Sequence, residues 1–300
     1  MEFLWYLSRL RTPFFDMFFR FITRFGEEMI LIAIFCAIYW CINKRMAYVT
    51  GITFFLSSLA VQGLKIVFRV PRPWIYDLTF EPVGGSLYAS TGYAFPSGHT
   101  QNAAALLGSI GAQTKKKWLS WLLFIFVFLV AFSRLYLGVH FIQDVVVSLL
   151  ITFVIIWIAQ KLVGDEHESP KQIMIAFGTL LIAGIIVALY AWFLRHNNIS
   201  TAAQVRDATR ASGAAIGFAF GMYIERSYIK FSVKSKNLLI QVTKYVLGMI
   251  GLVAIQEGSR ILGTHLFMDA IRYFLIVMWI AVLYPLIIKK FFEYKTRSMW

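Results

Sequence analysis

Apolar runs near the ~20 residues that a helix needs to cross a bilayer recur along the chain, separated by short polar segments. They predict nine helices, over residues 28–43, 46–68, 97–113, 118–138, 140–163, 172–194, 208–224, 238–256 and 270–288. The first is short, and the third and seventh are weakly apolar. In the seventh, Gly213, Gly217 and Gly221 recur every four residues, a stripe of small residues that predicts close packing on a neighbouring helix. Ahead of the first run, Arg9, Arg11, Arg20 and Arg24 stand among phenylalanines with no cleavage-like site after them. This predicts a retained amphipathic helix in the membrane interface, not a signal peptide.

The lysines test the count, because loops on the cytoplasmic side of a membrane protein are enriched in them. Lys44, the run Lys115 to Lys117, Lys161, Lys171, Lys230, Lys234, Lys236, Lys289, Lys290 and Lys295 all fall on one side of a nine-helix path. The exceptions are Lys244, inside the eighth helix, and Lys65, near the end of the second. The loops holding 69–96, 133–140, 195–207 and 257–269 are thereby expected to face away from the cytoplasm, with the C-terminus inside. The acidic stretch GDEHESPK, 164–171, reads as a solvated cytoplasmic turn. Residues 70–96 hold Pro71, Pro73, Pro82 and Pro96, four of the seven prolines, and form the most rigid loop.

Composition excludes the soluble alternatives. The 300 residues are 59% hydrophobic and only 15% charged, against about 25% charged in soluble domains. The formal charge of +14 belongs to the lysine-rich loops and does not imply a nucleic-acid partner. Cys36 and Cys41 both lie in an apolar run, which argues against a disulfide framework or a zinc site.

Three polar clusters interrupt this apolar background. In KIVFRVPRP, Lys65 stands at the end of a membrane helix and Arg72 between Pro71 and Pro73, which hold its backbone extended. In FPSGH, Pro96 suits the first position of a helix, so Ser97, Gly98 and His99 would offer N–H groups to an anion at the positive end of the dipole. In SRLYLGVHFIQD, Ser133 and Arg134 precede His140 and Asp144, whose four-residue spacing puts them on one helix face. Each alone has an ordinary reading: a snorkelling lysine, a helix cap, a structural pair. Ionisable groups at membrane depth are nonetheless expensive and usually functional. His167, His196 and His265 read as surface residues, and Trp74 and Tyr76 as either a pocket mouth or part of an aromatic belt.

Taken together, Lys65, six residues, Arg72-Pro73, then Pro96-Ser97-Gly98-His99, then Ser133-Arg134, five residues, His140, three residues and Asp144 resemble the tripartite motif of the type 2 phosphatidic acid phosphatase superfamily, the lipid phosphate phosphatases. Every fixed position is matched, and the likeness covers about residues 15–194. It implies an all-α polytopic bundle, with a phosphatase core over 1–194 that includes the interfacial helix, and additional C-terminal helices over 195–300. It implies that His140 attacks phosphorus, that Asp144 orients it and that His99 protonates the leaving oxygen. Lys65, Arg72, Arg134, Ser97 and the Gly98 N–H would cradle the phosphoryl oxygens; Ser133 would bind phosphate or cap its helix. No metal and no cofactor are implied. The expected partners are membrane lipids and a lipid phosphate or diphosphate such as phosphatidic acid, phosphatidylglycerophosphate or undecaprenyl diphosphate, cleaved at the outer face of the cell membrane. A phosphotransferase using the same phosphohistidine, or a transporter or scaffold, are the alternatives.

Overall fold

The computed structural model describes residues 1–86, 92–163, 170–235, 237–263 and 265–293, and contains no strand among them. Of the acidic stretch 164–171, only Pro170 and Lys171 fall in the described residues, and His167, Lys236 and Lys295 lie outside them.

Two short amphipathic helices open the chain where one is predicted. They are α1 (Glu2–Arg9) and α2 (Pro13–Thr23). The break has a local cause: Pro13 starts α2, and Thr12 caps it by accepting the Phe15 N–H at 3.3 Å. Both helices lie across the end of the bundle that carries residues 69–86. Trp5 donates to Asp77 (3.1 Å), Arg11 to the Glu81 carbonyl (2.6 Å), and Tyr136 to Asp16 (2.9 Å).

A turn over Arg24–Gly26 leads into α3 (Glu28–Ala37), bent by 51° from α2. Then follow α4 (Lys44–Phe68), α5 (Pro73–Tyr76), α6 (Gly98–Ala103) and α7 (Ser109–Gln113), the last two joined by a π turn over Ala104–Gly108. The remaining helices are α8 (Lys117–Tyr136), α9 (Ile142–Leu162), α10 (Pro170–His196), α11 (Ala202–Ile224), α12 (Leu238–Gly258), α13 (Leu266–Met278) and α14 (Tyr284–Ile287). All nine predicted segments are helical, but among the described residues six helices are long and apolar enough to cross a membrane, or seven when α2 and α3 count as one bent span. The chain is a multi-pass membrane protein. The two helical segments that do not qualify are 97–113 and 208–224. Protein encloses both: α6 packs on α4, α8 and α9, and α11 on α4, α10 and α13. A helix shielded from lipid need not be apolar all round.

The glycine stripe on α11 does what its spacing predicts. A Cβ on Gly213 would stand 2.2 Å from the Ala270 carbonyl, and one on Gly221 2.5 Å from Ala281 Cβ, so α13 and the π turn over Trp279–Leu283 that continues it lie directly on the stripe. Buried Asp269 of α13 joins the same pair of helices through Arg206 (3.2 Å) and Arg210 (3.7 Å) of α11, and pairs with Arg272 of its own helix (3.2 Å). At the opposite end of the bundle, buried Glu225 accepts hydrogen bonds from Tyr48, Lys44 and the Phe231 N–H. Lys244 loses its anomaly, because its ammonium reaches back to the Val233 carbonyl at 3.1 Å, in the lysine-rich connection before α12.

Gly213→Ala should destabilise the protein by about 1–3 kcal/mol through overpacking against α13. Gly178→Ala on α10, where nothing stands within 4 Å of the new methyl, should be neutral or stabilising. Thermal unfolding in detergent compares them, and equal midpoints for the two variants would contradict the close α11–α13 contact.

Candidate active site

The first cluster is shaped by a sharp helix end. α4 stops at Phe68 because Arg69 adopts the left-handed conformation (φ 51°), and the chain turns into Val70-Pro71-Arg72-Pro73. Arg72 is extended (φ −69°, ψ 157°) at the start of α5, and its side chain turns inward. The guanidinium donates to the Gly92 carbonyl (3.2 Å), the Val139 carbonyl (2.9 Å) and His140 Nε2 (2.9 Å). Lys65, one turn before the end of α4, is buried with no hydrogen-bond acceptor among the described residues.

The second cluster differs from expectation by one step. α6 starts at Gly98, so Ser97 is the cap and Pro96 precedes it instead of opening the helix. The Ser97 hydroxyl accepts from the Thr100 N–H (3.4 Å) and the Thr100 hydroxyl (3.0 Å), while its own N–H donates to the Asp144 carbonyl (3.0 Å). Only Gly98 and His99 of the expected trio therefore present their N–H groups at the helix start. A Cβ on Gly98 would stand 3.7 Å from Lys65 Nζ and 4.0 Å from Gln62 Nε2, which puts the glycine backbone beside the ammonium. Behind His99, a Cβ on Gly26 would come within 2.8 Å of the His99 carbonyl, and Asn102 donates to the Gly26 carbonyl at 3.0 Å.

The third cluster spans the connection between α8 and α9. Gly138 takes φ 75°, which lets the Val139 N–H return to the Arg134 carbonyl (3.2 Å) and delivers His140 to the interior. Asp144, in the first turn of α9, accepts the Phe141 N–H at 2.8 Å and contacts His140 Nδ1 at 3.2 Å. The carboxylate thus caps a helix and holds an imidazole at once. Since Arg72 can only donate, His140 Nε2 accepts and Nδ1 carries the proton toward Asp144. Burial, then the cations of Arg72 and Arg134, hold the His140 imidazole well below the ordinary histidine pKa, so it is neutral. Arg134 is 1% exposed and anchored by Thr23 of α2 at 2.7 Å.

These elements surround a cavity of about 340 Å³. Lys65, Arg72, Gly98, His99, Arg134 and His140 line it. Ser97 and Asp144 stand behind that lining and support it. Ser133 does not reach it: the side chain is fully buried in α8 and its hydroxyl donates to the Val130 carbonyl at 2.6 Å. Trp74 and Tyr76 do not line the cavity either; Trp74 lies 5.8 Å from the Arg72 guanidinium, and Tyr76 is exposed against Phe141. The other walls hold residues that the motifs do not name: Gln62, Glu27, Glu28, Asn102, then Asp207 and Arg210 of α11 and Tyr273 of α13. For Asp207 and Arg210 the sequence signal is RDATR, three charges within five residues at the start of the helix expected over 208–224. Ser148, four residues after Asp144, was also unmarked, yet it bonds the Ser97 carbonyl (2.9 Å) and the Asp144 carbonyl (2.8 Å) and so ties α9 to the start of α6.

Lys65, Arg72 and Arg134, two imidazoles and a helix start converge on one side of this cavity, with Asp144 behind one imidazole and Glu27, Glu28, Asp207 and Arg210 on the other walls. That arrangement binds a tetrahedral oxyanion and offers it a nitrogen lone pair. Set in a polytopic all-α bundle, it defines an integral-membrane phosphatase. The family model of the PAP2 superfamily matches residues 44–168, and that of the PAP2 superfamily phosphatase transmembrane extension matches 209–296. The chain belongs to the PAP2 superfamily and carries its transmembrane extension. It is 26% identical to a lipid A 4'-phosphatase of Bacteroides thetaiotaomicron, over 62% of this chain and 93% of that protein. It is 28% identical to a dihydrosphingosine 1-phosphate phosphatase of Saccharomyces cerevisiae over 57% of this chain, and 31% identical to an undecaprenyl-diphosphatase of Bacillus subtilis over 38%. Those matches span 46% and 55% of the two relatives' own lengths.

Proposed function

We propose that this protein hydrolyses lipid phosphates or diphosphates through a phosphohistidine on His140, without a metal, at the extracytoplasmic face of the cell membrane. The observation that carries the reading is the hydrogen-bonded line Asp144, His140, Arg72 at the edge of the cationic cavity. In this line Asp144 fixes the tautomer, and the lone pair needed for attack is capped by an Arg72 N–H. An incoming phosphoryl oxygen takes over that donor and uncovers Nε2 in the same movement. Nε2 then forms the N–P bond while the P–O bond to the lipid breaks, and the bond pair leaves with the lipid oxygen. His99 supplies the proton to that oxygen and afterwards takes one from the water that hydrolyses the phosphohistidine. Lys65, Arg72, Arg134 and the Gly98 N–H stabilise charge on the three remaining oxygens. Ser97 supports this set through its cap, and Ser133 acts only within its helix. The three relatives act on a lipid A phosphate, a sphingoid phosphate and a prenyl diphosphate, which supports a lipid phosphate as the substrate class.

The two histidines separate by leaving group. His140→Ala should abolish turnover of every substrate. His99→Ala should lose typically 10²- to 10⁴-fold with a lipid alkoxide leaving group and much less with p-nitrophenyl phosphate, whose phenolate departs unprotonated. Arg72→Ala should injure both alike. These kcat/KM measurements are made in EDTA; an equal loss on both substrates for His99→Ala would contradict the assignment of His99 as the acid, and activity that needs an added divalent ion would contradict the metal-free path.

The outward face is supported by the lysines, since the cavity lies at the end of the bundle away from Lys44, Lys116 and Lys161. With Cys36 and Cys41 replaced by alanine, a cysteine at Leu78, 88% exposed, should react with an impermeant thiol reagent on intact cells. A cysteine at exposed Lys116 should react only after permeabilisation. The opposite pattern would move the site to the cytoplasm.

A further inference from the structure

A second cavity, of about 230 Å³, meets the catalytic one and is lined mostly by apolar side chains, with Glu28, Tyr273, Thr50 and Gln256 as its polar members. The order of its lining along four helices shows how the two connect. On α3, Glu28 belongs to both cavities, and Leu31 and Phe35, at helical spacing beyond it, only to the second. On α13 and the π turn after it, Tyr273 is shared and Ile276 and Ile280 follow; on α11, Ala214 is shared and Phe218 follows. The antiparallel α4 shows the reverse order, Phe54 and Phe55 being shared and Gly51 and Thr50 preceding them. All four helices therefore agree on one direction. The apolar groove starts where the polar cavity ends and runs toward the middle of the bundle, through about 10 Å for the seven residues from Glu28 to Phe35.

We propose that this groove binds one hydrocarbon chain of the substrate, and that the transmembrane extension exists in this chain to build it. The inference rests on the reading of the site as a lipid phosphatase and adds to it the location of the tail. Two of the four walls, α11 and α13, belong to the extension, and the glycine stripe that seats α13 on α11 sets their spacing. The polar collar between the two spaces is formed by Glu28 and Tyr273, whose hydroxyl donates to the carboxylate at 3.3 Å. A phosphate among Lys65, Arg72 and Arg134 would leave its ester oxygen facing this collar and its first methylenes at the mouth of the groove. The tail is thus held inside the protein, between core and extension, and not against the lipid-facing surface of α8 and α9.

Alkyl phosphates of two to eight carbons, assayed below their micelle concentrations, test this. Wild-type kcat/KM should rise with each methylene by roughly fourfold at full burial. Ile276→Phe narrows the groove one turn beyond the collar without touching the catalytic cavity, and should flatten the series, losing roughly 10-fold or more on the octyl ester and little on the ethyl ester. An equal loss on both esters, or a wild-type series without slope, would overturn the proposal. Should the variant not fold, a photoactivatable group near the end of an octyl phosphate, applied to the wild-type protein, decides the same point. Adducts around Phe35 or Ile280 support the groove; adducts confined to α8 and α9 overturn it. A wild-type protein that turns over none of the esters or a long-chain lipid phosphate would count against the phosphatase reading, and the labelling pattern would still judge the groove.

Discussion

Burying cations and imidazoles inside a membrane bundle is expensive unless each is paired or hydrogen-bonded, and here the pairing runs through His140. Asp144 holds one ring nitrogen and Arg72 the other, and Arg72 is itself fixed by the Val139 and Gly92 carbonyls. The remaining architecture serves to bring these three side chains together. A proline-flanked strand of backbone after α4 delivers Arg72, a glycine turn between α8 and α9 delivers His140, and the first turn of α9 delivers Asp144. The aspartate is the economical member, because the oxygen that orients the histidine also caps α9.

Around this line the molecule separates neutralisation from binding. Carboxylates elsewhere in the bundle are committed to helix pairs: Asp269 to α11 and α13, Glu225 to α4 and the end of α11. Lys65 and the start of α6 face the cavity beside Gly98, where Glu27, Glu28 and Asp207 share the lining with four cations and a bound anion can add its charge. The N-terminal helices take part as well, since Thr23 fixes Arg134 and the turn at Gly26 presses on His99. A reading that stopped at the motif helices would miss this support.

What could be read from the sequence follows the range of the interactions. Lys65, Arg72, His99, Arg134, His140 and Asp144 were singled out together by the motif they resemble, and the fold brings them into or directly behind one cavity. Ser97 was legible as a residue but not as a geometry: its hydroxyl is used by the cap, which shifts the helix start past Pro96. Ser133 matched the pattern, yet only the packing of α8 reveals that its hydroxyl bonds within the helix. Asp207, Arg210 and Tyr273 join the cavity from α11 and α13, which lie far along the chain, and no local spacing encodes that contact. The nine apolar segments were readable as helices; the division of the N-terminal segment into α1 and α2 and the short α5 were not, and 97–113 and 208–224 are less apolar because protein encloses them. Lys244 misled for the related reason that a side chain can end a turn away from its own Cα.

The central claim is that phosphorus becomes bonded to His140, and trapping that bond tests it most directly. The protein is mixed with a lipid phosphate, quenched in alkali to preserve a phosphoramidate, digested and read by mass spectrometry. The account predicts a phosphate on His140, absent from His140→Ala and increased in His99→Ala given p-nitrophenyl phosphate, where formation continues and hydrolysis slows. A phosphate on His99, or full turnover with no phosphohistidine formed on any variant, would contradict it.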